Sequence, residues 1–182
     1  MIVLLGLAYP LFITGIAQIA FNDKANGSLI EKDGKVIGSA FVGQKFDSIV
    51  YFSARPSATD YGTLPSGASN LSLTSQKLHD LVGQRKAAFI ERNSLTPNDT
   101  IPSEMVFASA SGLDPHISPK AALLQLNRVA TARNFSDAEK NELYALIKNS
   151  TEKPQFSFMG KARVNVLLLN LQLDKMTSGH GR

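Results

Sequence analysis

The sequence predicts an α+β fold in which a single N-terminal transmembrane helix precedes one soluble α+β domain with a mixed or antiparallel sheet and about three helices. Residues 1–21 carry no charged side chain, which is the first observation behind this prediction. An Asp-Gly pair then separates two short apolar runs, which is a strong hairpin signal. Downstream, three segments with helical periodicity are accompanied by two strand candidates, and the combination favours a single α+β domain.

The predicted anchor is the uncharged run of residues 1–21, after which Asp23 and Lys24 are the first charged side chains. At about 1.5 Å per residue, roughly 20 helical residues cross the ~30 Å hydrocarbon layer of a bilayer. A cleaved signal peptide and a buried soluble helix are the alternatives, but neither a basic n-region nor an A-x-A cleavage site is clear. We therefore predict a transmembrane helix over residues 1–21 and a soluble domain over residues 22–182, with the orientation left open by the loop charges.

The next elements are a hairpin and a long loop. Asp33-Gly34 lies between "SLI" and "KVIGSAFV", and glycine accepts the positive φ that a tight turn requires. Residues 55–71 are rich in Pro, Ser, Gly and Thr and are predicted to form an ordered loop. Long loops in compact domains are often functional.

Three helices are predicted from periodicity and capping signals. Residues 74–93 carry apolar side chains at helical spacing. Ser118 as N-cap and Pro119 at the first position begin a second helix. Ser136 and Glu139 form a capping box that begins a third.

Two segments are strand candidates. They are residues 105–110, "MVFASA", and residues 163–173, "RVNVLLLNLQL". The second is apolar on both faces in its middle, which predicts a central strand covered on two sides.

Composition excludes several function classes. The chain of 182 residues has 19 Lys+Arg against 15 Asp+Glu, a net charge of +4, and the basic residues are scattered, so no nucleic-acid partner is predicted. Cysteine is absent, which excludes disulfides, thiolate metal sites and cysteine nucleophiles. His79, His116 and His180 are isolated along the chain, and no metal site is predicted from them.

The motifs of nucleotide hydrolysis are incomplete in this chain. Gly62 and Gly67 have the spacing of a phosphate-binding loop, but alanine stands where lysine is needed. The sequence "DKMTSG", which begins at Asp174, resembles the phosphorylation motif of P-type ATPases with a methionine inserted. Neither motif is expected to act on ATP.

A serine-rich stretch, "SASGLDPHISP" over residues 109–119, contains the residue types of a hydrolytic triad. It lacks the G-x-S-x-G nucleophile elbow, and sequence proximity of His116 to Ser109 or Ser111 does not supply the geometry of a triad. Small residues at a strand end, an Asp-Pro turn and an N-cap explain the stretch structurally. The lack of a complete catalytic motif therefore favours a non-catalytic subunit over a tethered serine hydrolase.

An ordered series of motifs carries a family resemblance. The segments "GSAFVGQKF", "YFSARPSA", "SGASNL", "ASASGLDPHISPKAALLQLNRVATAR" and "RVNVLLLNLQLDK" follow an N-terminal apolar run. In this order they strongly resemble the C subunit of the bacterial Kdp potassium-transporting ATPase, the KdpC family. The resemblance covers nearly the whole chain. It implies an accessory chain in an assembly with a potassium-translocating A subunit, an ATP-hydrolysing B subunit and a small F subunit.

The resemblance also implies candidate residues. In this family a glutamine has been proposed to touch the nucleotide, and we carry that role onto Gln125, with Gln44 as second choice. For Arg128 and Arg133 an anion-binding role is weighed against surface salt bridges and charge near a helix C-terminus. The motif loops contribute Arg55, Pro56, Ser57, Ser66, Gly67, Ser69, Asn70, Ser111, Gly112 and Asp114, together with Arg128 and Arg133.

The resulting function prediction is an accessory subunit of a high-affinity ATP-driven potassium uptake complex that stabilises the assembly and supports ATP hydrolysis by the B subunit as a catalytic chaperone. The alternative is a membrane-anchored nucleotide-binding regulator that raises ATP affinity by direct contact. The family resemblance places the soluble domain outside the bacterial cytoplasmic membrane, and ATP is cytoplasmic, so the assembly role is favoured. No tightly bound cofactor is expected, ATP is at most a transient ligand, and potassium is handled by the A subunit.

Overall fold

The structure, a computed structural model, describes residues 1–64 and 67–179, with side chains described up to residue 177. The chain divides into two compact units, Met1–Val42 and Gly43–Arg182. Each unit has its own architecture.

The first unit begins with helical turns. A π-helical stretch, Leu4–Ala8, is followed by helix α1, Tyr9–Ala20, and by the short helix α2, Asn22–Ala25. None of the buried side chains of the described residues lies in these helices. Within the described part of the chain, no single helix combines the length and the apolar character needed to cross a membrane.

The predicted hairpin closes the first unit. Strand β1, Leu29–Lys32, pairs antiparallel with strand β2, Lys35–Ser39. Asp33 and Gly34 occupy the turn with φ of 52° and 73°, the left-handed values that a two-residue hairpin turn requires. This prediction is confirmed.

The second unit contains the three predicted helices, of which the second and third have their predicted N-caps and the first begins two residues later than predicted. Helix α3 spans Gln76–Arg92, helix α4 spans Pro119–Ala132 and helix α5 spans Asp137–Asn149. The Ser118 hydroxyl accepts a hydrogen bond from the Ala121 amide at 3.1 Å, which caps α4. Ser136 and Glu139 form the capping box of α5, in which the Ser136 amide donates to Glu139 Oε2 at 2.8 Å.

The strand predicted over residues 163–173 is wrong in most of its length. Strand β5 covers only Arg163–Asn165, and helix α6, Val166–Gly179, follows at once. The Asn165 side chain accepts a hydrogen bond from the Leu168 amide at 3.1 Å and thereby begins the helix. A continuous apolar run has no period that separates a buried strand from a buried helix, so this asparagine was the only local signal.

The strand predicted over residues 105–110 is also wrong. Ser103–Met105 is a 3₁₀ helix, and bends follow it. The amides of Val106 and Phe107 donate to the Ser103 carbonyl at 3.1 and 2.9 Å, so local turns satisfy the backbone where a neighbouring strand was expected to do so.

A small antiparallel sheet and the helices enclose the core of the second unit. Strand β5 lies between β3, His116–Ile117, and β4, Thr151–Glu152. The described helices outnumber the three that were predicted, whereas the antiparallel sheet agrees with the prediction. The largest fully buried apolar side chains are Phe52, Ile117, Val129, Leu143, Ile147, Val164, Val166, Leu169 and Leu173.

Candidate functional site

The side chain of Gln125 is fully buried on α4 and is bonded to the backbone of an irregular segment. Its Nε2 donates to the Ser53 carbonyl at 3.2 Å, and its Oε1 accepts from the Ser53 amide at 2.8 Å. Nε2 also donates to the Ala121 carbonyl at 3.3 Å. The amide group therefore makes the two-point contact with Ser53 that a neighbouring strand would make.

Asn170 on α6 makes the equivalent contact with Phe52, the residue that precedes Ser53. Its Oδ1 accepts from the Phe52 amide at 2.9 Å, and its Nδ2 donates to the Phe52 carbonyl at 2.9 Å. Asn170 is 2% exposed and Phe52 is fully buried. Two helices thus bind successive backbone units of a segment that has no strand partner, and they satisfy its buried polar groups.

Arginine side chains extend this contact set along the same segment. Arg128 donates through Nη1 to the Ile49 carbonyl, through Nη2 to Gln125 Oε1 at 2.9 Å and through Nε to Asn93 Oδ1 at 2.9 Å. Burial, together with the charge of Arg92, lowers the pKa of Arg128 to about 10. We call Gln125, Asn170, Asn93, Arg128 and Arg133 the amide cluster, and residues 49–53 the held segment.

Arg133 closes the amide cluster at the C-terminal end of α4. Its Nε donates to the Val50 carbonyl at 2.8 Å, and its Nη2 forms an ion pair with Asp174 at 2.8 Å. The guanidinium also lies 5.0 Å from the centroid of the Tyr51 ring, and the Tyr51 hydroxyl contacts the other oxygen of Asp174 at 3.1 Å. The sequence left Arg128 and Arg133 open to an anion-binding role or to an ordinary structural role. In the structure, both side chains make contacts within the domain.

A nucleotide that contacted Gln125 would have to replace hydrogen bonds that the side chain already makes. The amide oxygen is shared by Ser53 and Arg128, and the amide nitrogen by Ser53 and Ala121. A ligand that bonded to this side chain would have to break bonds that are buried in the domain. Gln44, the second choice, is half-buried in a different place, beside Gly43, whose amide donates to the Leu113 carbonyl at 2.7 Å.

A second cluster joins the loop that contains Arg55 to the loop that contains Asp114. Arg55 Nη1 forms an ion pair with Asp114 Oδ2 at 2.7 Å. The other carboxylate oxygen of Asp114 accepts from the His116 amide at 3.0 Å and lies 3.3 Å from His116 Nδ1. Burial raises the pKa of Asp114, but the hydrogen bonds from His116 and the Arg55 contact outweigh burial and lower the pKa to about 2.

Gly112 allows the two loops to approach each other. Its φ is +70°, and an added Cβ would lie 2.8 Å from Thr59 Oγ1 and 3.1 Å from Ser57 Oγ. Ser57 Oγ in turn accepts from the Tyr61 amide at 2.9 Å, and the Tyr61 hydroxyl donates to the Arg55 carbonyl. We call this set the loop junction, made of Arg55, Ser57, Thr59, Tyr61, Gly112, Asp114 and His116.

The remaining predicted motif residues lie around the loop junction or outside it. Pro56 lies on the same loop, and the Gly67 carbonyl would lie 3.3 Å from a Cβ at Gly112. Ser111 Oγ accepts from the Leu113 amide at 3.1 Å. Ser69 and Asn70 are exposed. Ser66 lies outside the described residues, as does His180.

The serine-rich stretch serves the fold in the structure. The His116 ring contacts Asp114, two residues away, and Ser109 is buried at 5% exposure. Ser118 caps α4, and its amide donates to Glu104 Oε1 at 3.2 Å. Among the described residues, no group of three or more His, Asp or Glu is placed to hold a metal ion.

A shallow basic cleft of about 300 Å³ borders the loop junction. Lys45 in its wall pairs with Asp60 at 2.8 Å, and Arg85 donates to the Val106 carbonyl at 3.1 Å. Arg92 donates to the Asp47 and Ser48 carbonyls at 2.8 and 3.1 Å. Lys45 and Arg92 therefore hold the loop that leads into the held segment, whereas Arg85 bonds to the segment after the 3₁₀ helix.

Sequence reasoning missed Asn170 and Asn93 as parts of the amide cluster, and Asp174 as the ion-pair partner of Arg133. Asn170 stands within the apolar run "VLLLNLQL", where a polar residue among buried neighbours indicates a bonded core amide. Asn93 and Asp174 had no comparable local signal.

The family comparisons agree with the motif order. The family model described as "K+-transporting ATPase, c chain" matches residues 1–175. The chain belongs to the KdpC family. A "Potassium-transporting ATPase KdpC subunit" of Koribacter versatilis is 48% identical over 174 residues, which are 94% of this chain and 87% of the relative.

Two further relatives of the same name support this membership. The protein of Paraburkholderia phytofirmans is 45% identical over 96% of this chain and 90% of its own length. The protein of Mycobacterium tuberculosis is 44% identical over 96% of this chain and 92% of its own length. The motif loops and both glutamine candidates fall within the matched residues 1–175.

Proposed function

We propose that this chain is a non-catalytic accessory subunit of a high-affinity ATP-driven potassium uptake complex, in which it stabilises the assembly and supports ATP hydrolysis by the catalytic B subunit. Membership of the KdpC family makes it a subunit of a potassium-transporting ATPase. The observation that supports the accessory role is that the polar motif residues bond to other parts of the same domain. Gln125, Arg128 and Arg133 bond to the held segment, and Arg55 bonds to Asp114.

The proposed topology is a single pass through the cytoplasmic membrane over residues 1–21, with residues 22–182 on the outer face. The absence of charge in residues 1–21 supports the membrane span of this topology. So does the exposure of large apolar side chains in the same residues, among them Leu4 at 58%, Phe12 at 65% and Ile19 at 90%. Such surface is unfavourable in water and favourable in hydrocarbon.

The proposed partners are the A, B and F subunits and the lipid bilayer. Potassium is handled by the A subunit and ATP by the B subunit. In this proposal the chain affects ATP hydrolysis through the assembly, because the Gln125 amide is occupied by Ser53, Ala121 and Arg128.

The test compares purified assemblies with and without this chain. We expect potassium-stimulated ATP hydrolysis to be lost when the chain is omitted and to return when the full chain is added back. Gln84→Ala, on the exposed face of α3, is the matched control and should restore activity as the unchanged chain does. Unchanged activity and potassium affinity without the chain would refute the accessory role.

Titration of ATP onto the full chain in detergent separates this proposal from the nucleotide-binding alternative. We expect no saturable binding. Saturable binding that Gln44→Ala or Gln125→Ala abolishes, in a variant that keeps its folded circular dichroism spectrum, would support direct contact instead.

A further inference from the structure

The connection between β4 and β5 displays aromatic side chains to solvent. Phe156 is 80% exposed, Phe158 is 79% exposed and Met159 is 53% exposed. The two phenyl rings lie 6.4 Å apart between centroids. We call residues 155–159 the aromatic tip. It belongs to the unit that has its own buried core, so its exposed rings are not needed to complete that core.

The backbone of the aromatic tip is closed and strained. The Gln155 amide donates to the Met159 carbonyl at 3.1 Å, and the Met159 amide donates to the Gln155 carbonyl at 2.9 Å. Within this closure Phe156 and Ser157 adopt φ of 51° and 67°. A left-handed backbone is unfavourable for a bulky residue, and such strain is concentrated at functional sites.

The flanks of the aromatic tip are basic. Between Lys153 and Arg163 the sequence contains Lys161 and no Asp or Glu. Arg163 is paired with Glu152 at 2.8 Å, whereas Lys153 and Lys161 are exposed. The segment thus combines an apolar end with positive charge behind it, which is the pattern of segments that bind anionic bilayer surfaces.

We propose that the aromatic tip inserts Phe156 and Phe158 into the surface of an anionic lipid bilayer while Lys153 and Lys161 contact lipid phosphates. This inference rests on the proposed anchoring of residues 1–21. Residues 22–42 then connect the second unit to the membrane through a tether of at most about 70 Å, so the aromatic tip stays within reach of the bilayer. Lys153 and Lys161 favour a lipid bilayer over an uncharged apolar surface as the binding partner of the aromatic tip, because lipid phosphates supply the complementary charge.

The absence of tryptophan makes the test specific. The full chain carrying Phe158→Trp is reconstituted into vesicles of phosphatidylglycerol with brominated acyl chains, which quench tryptophan that reaches the hydrocarbon. We expect blue-shifted emission and strong quenching. Leu73→Trp, at a position 88% exposed in the second unit, is the matched control and should be quenched little. Each of Lys153→Gln and Lys161→Gln should lower the ratio of inserted to free tip by about fivefold.

The outcomes separate this inference from the proposed anchoring. Phe12→Trp reports the anchor in the same vesicles. Quenching of Phe12→Trp without quenching of Phe158→Trp would overturn the insertion of the tip and leave the anchor in place. Equal quenching of Phe158→Trp and Leu73→Trp would overturn the insertion as well. Shielding of Phe158→Trp only after the A and B subunits are added would assign the tip to a protein contact and overturn the lipid assignment.

Discussion

The held segment and the aromatic tip are both irregular, yet the phenylalanine of the first is buried and those of the second are exposed. Phe52 in the held segment is fully buried, and its amide and carbonyl are bonded to Asn170. Phe156 and Phe158 in the aromatic tip are about four-fifths exposed, at 80% and 79%. Irregular backbone becomes part of a core when side-chain amides replace a strand partner, and without them it remains at the surface.

The difference shows which part of the domain is built for stability and which is available for contact. The backbone of the held segment is bonded by the side-chain amides of two helices, through Gln125 on α4 and Asn170 on α6. Asn93, the residue after α3, accepts a hydrogen bond from Arg128, which itself donates to the held segment. The aromatic tip closes on itself through backbone bonds between Gln155 and Met159. Substitutions in the two regions should therefore have opposite consequences for folding and for binding.

The largest expected effect is on Phe52. Phe52→Ala should lower the free energy of unfolding by about 3–5 kcal/mol, because it removes a fully buried aromatic side chain. Phe158→Ala should change it by less than about 0.5 kcal/mol, since its ring is exposed. Urea unfolding of the full chain in detergent measures both, and Phe52→Leu provides a milder variant that stays folded. Similar losses for Phe52→Leu and Phe158→Ala would contradict the comparison.

A somewhat smaller effect is expected at Gln125. Gln125→Ala removes the side-chain partner of the Ser53 amide and carbonyl and one of the three partners of Arg128, which should cost about 2–3 kcal/mol of unfolding free energy. Gln84→Ala, on the exposed face of α3, is the control and should stay within about 0.5 kcal/mol of the unchanged chain. A stable Gln125→Ala chain would show that the amide cluster does not hold the segment.

The smallest of these effects concerns pH at the loop junction. The pKa of Asp114 is lowered in the folded protein from 3.8 to about 2, so the unfolded state binds the proton more tightly. The resulting stability, about 2 kcal/mol, is present above pH 4 and is lost as the pH falls towards 2. Asp114→Asn should remove that contribution at pH 7 and flatten the acid limb of a stability profile.

Asp80→Asn, on the exposed part of α3, is the control for the acid limb. It should leave the profile within about 0.5 kcal/mol of the unchanged chain. An unaltered acid limb in Asp114→Asn would mean that the ion pair with Arg55 contributes little to folding.

Signals within a few residues were enough to predict several elements. The turn at Asp33-Gly34 and the helix starts at Ser118 and Ser136 depend on bonds between near neighbours, and all three are confirmed. The limits of the apolar run after Arg163 depend instead on packing against distant residues. The run therefore looked like a strand, although Asn165 begins a helix in it.

The loop junction was predictable in part of its membership but not in its geometry. The motif order identified Arg55, Ser57, Gly112 and Asp114, and the structure brings them together through an ion pair and a close backbone approach. The pairing spans 59 residues of sequence, which no local pattern encodes. The role predicted for Gln125 as a nucleotide contact stays a prediction, beside the structural contacts that the side chain makes.

The most direct test of an accessory role outside the membrane is the accessibility of the second unit in intact cells. The chain has no cysteine, so Ser69→Cys introduces a unique thiol at an exposed position of that unit. With the other subunits co-produced, we expect a membrane-impermeant maleimide to label Ser69→Cys in intact spheroplasts and to label Ile2→Cys only after lysis. Protection of Ser69→Cys until lysis would place the domain beside cytoplasmic ATP and contradict the proposed role.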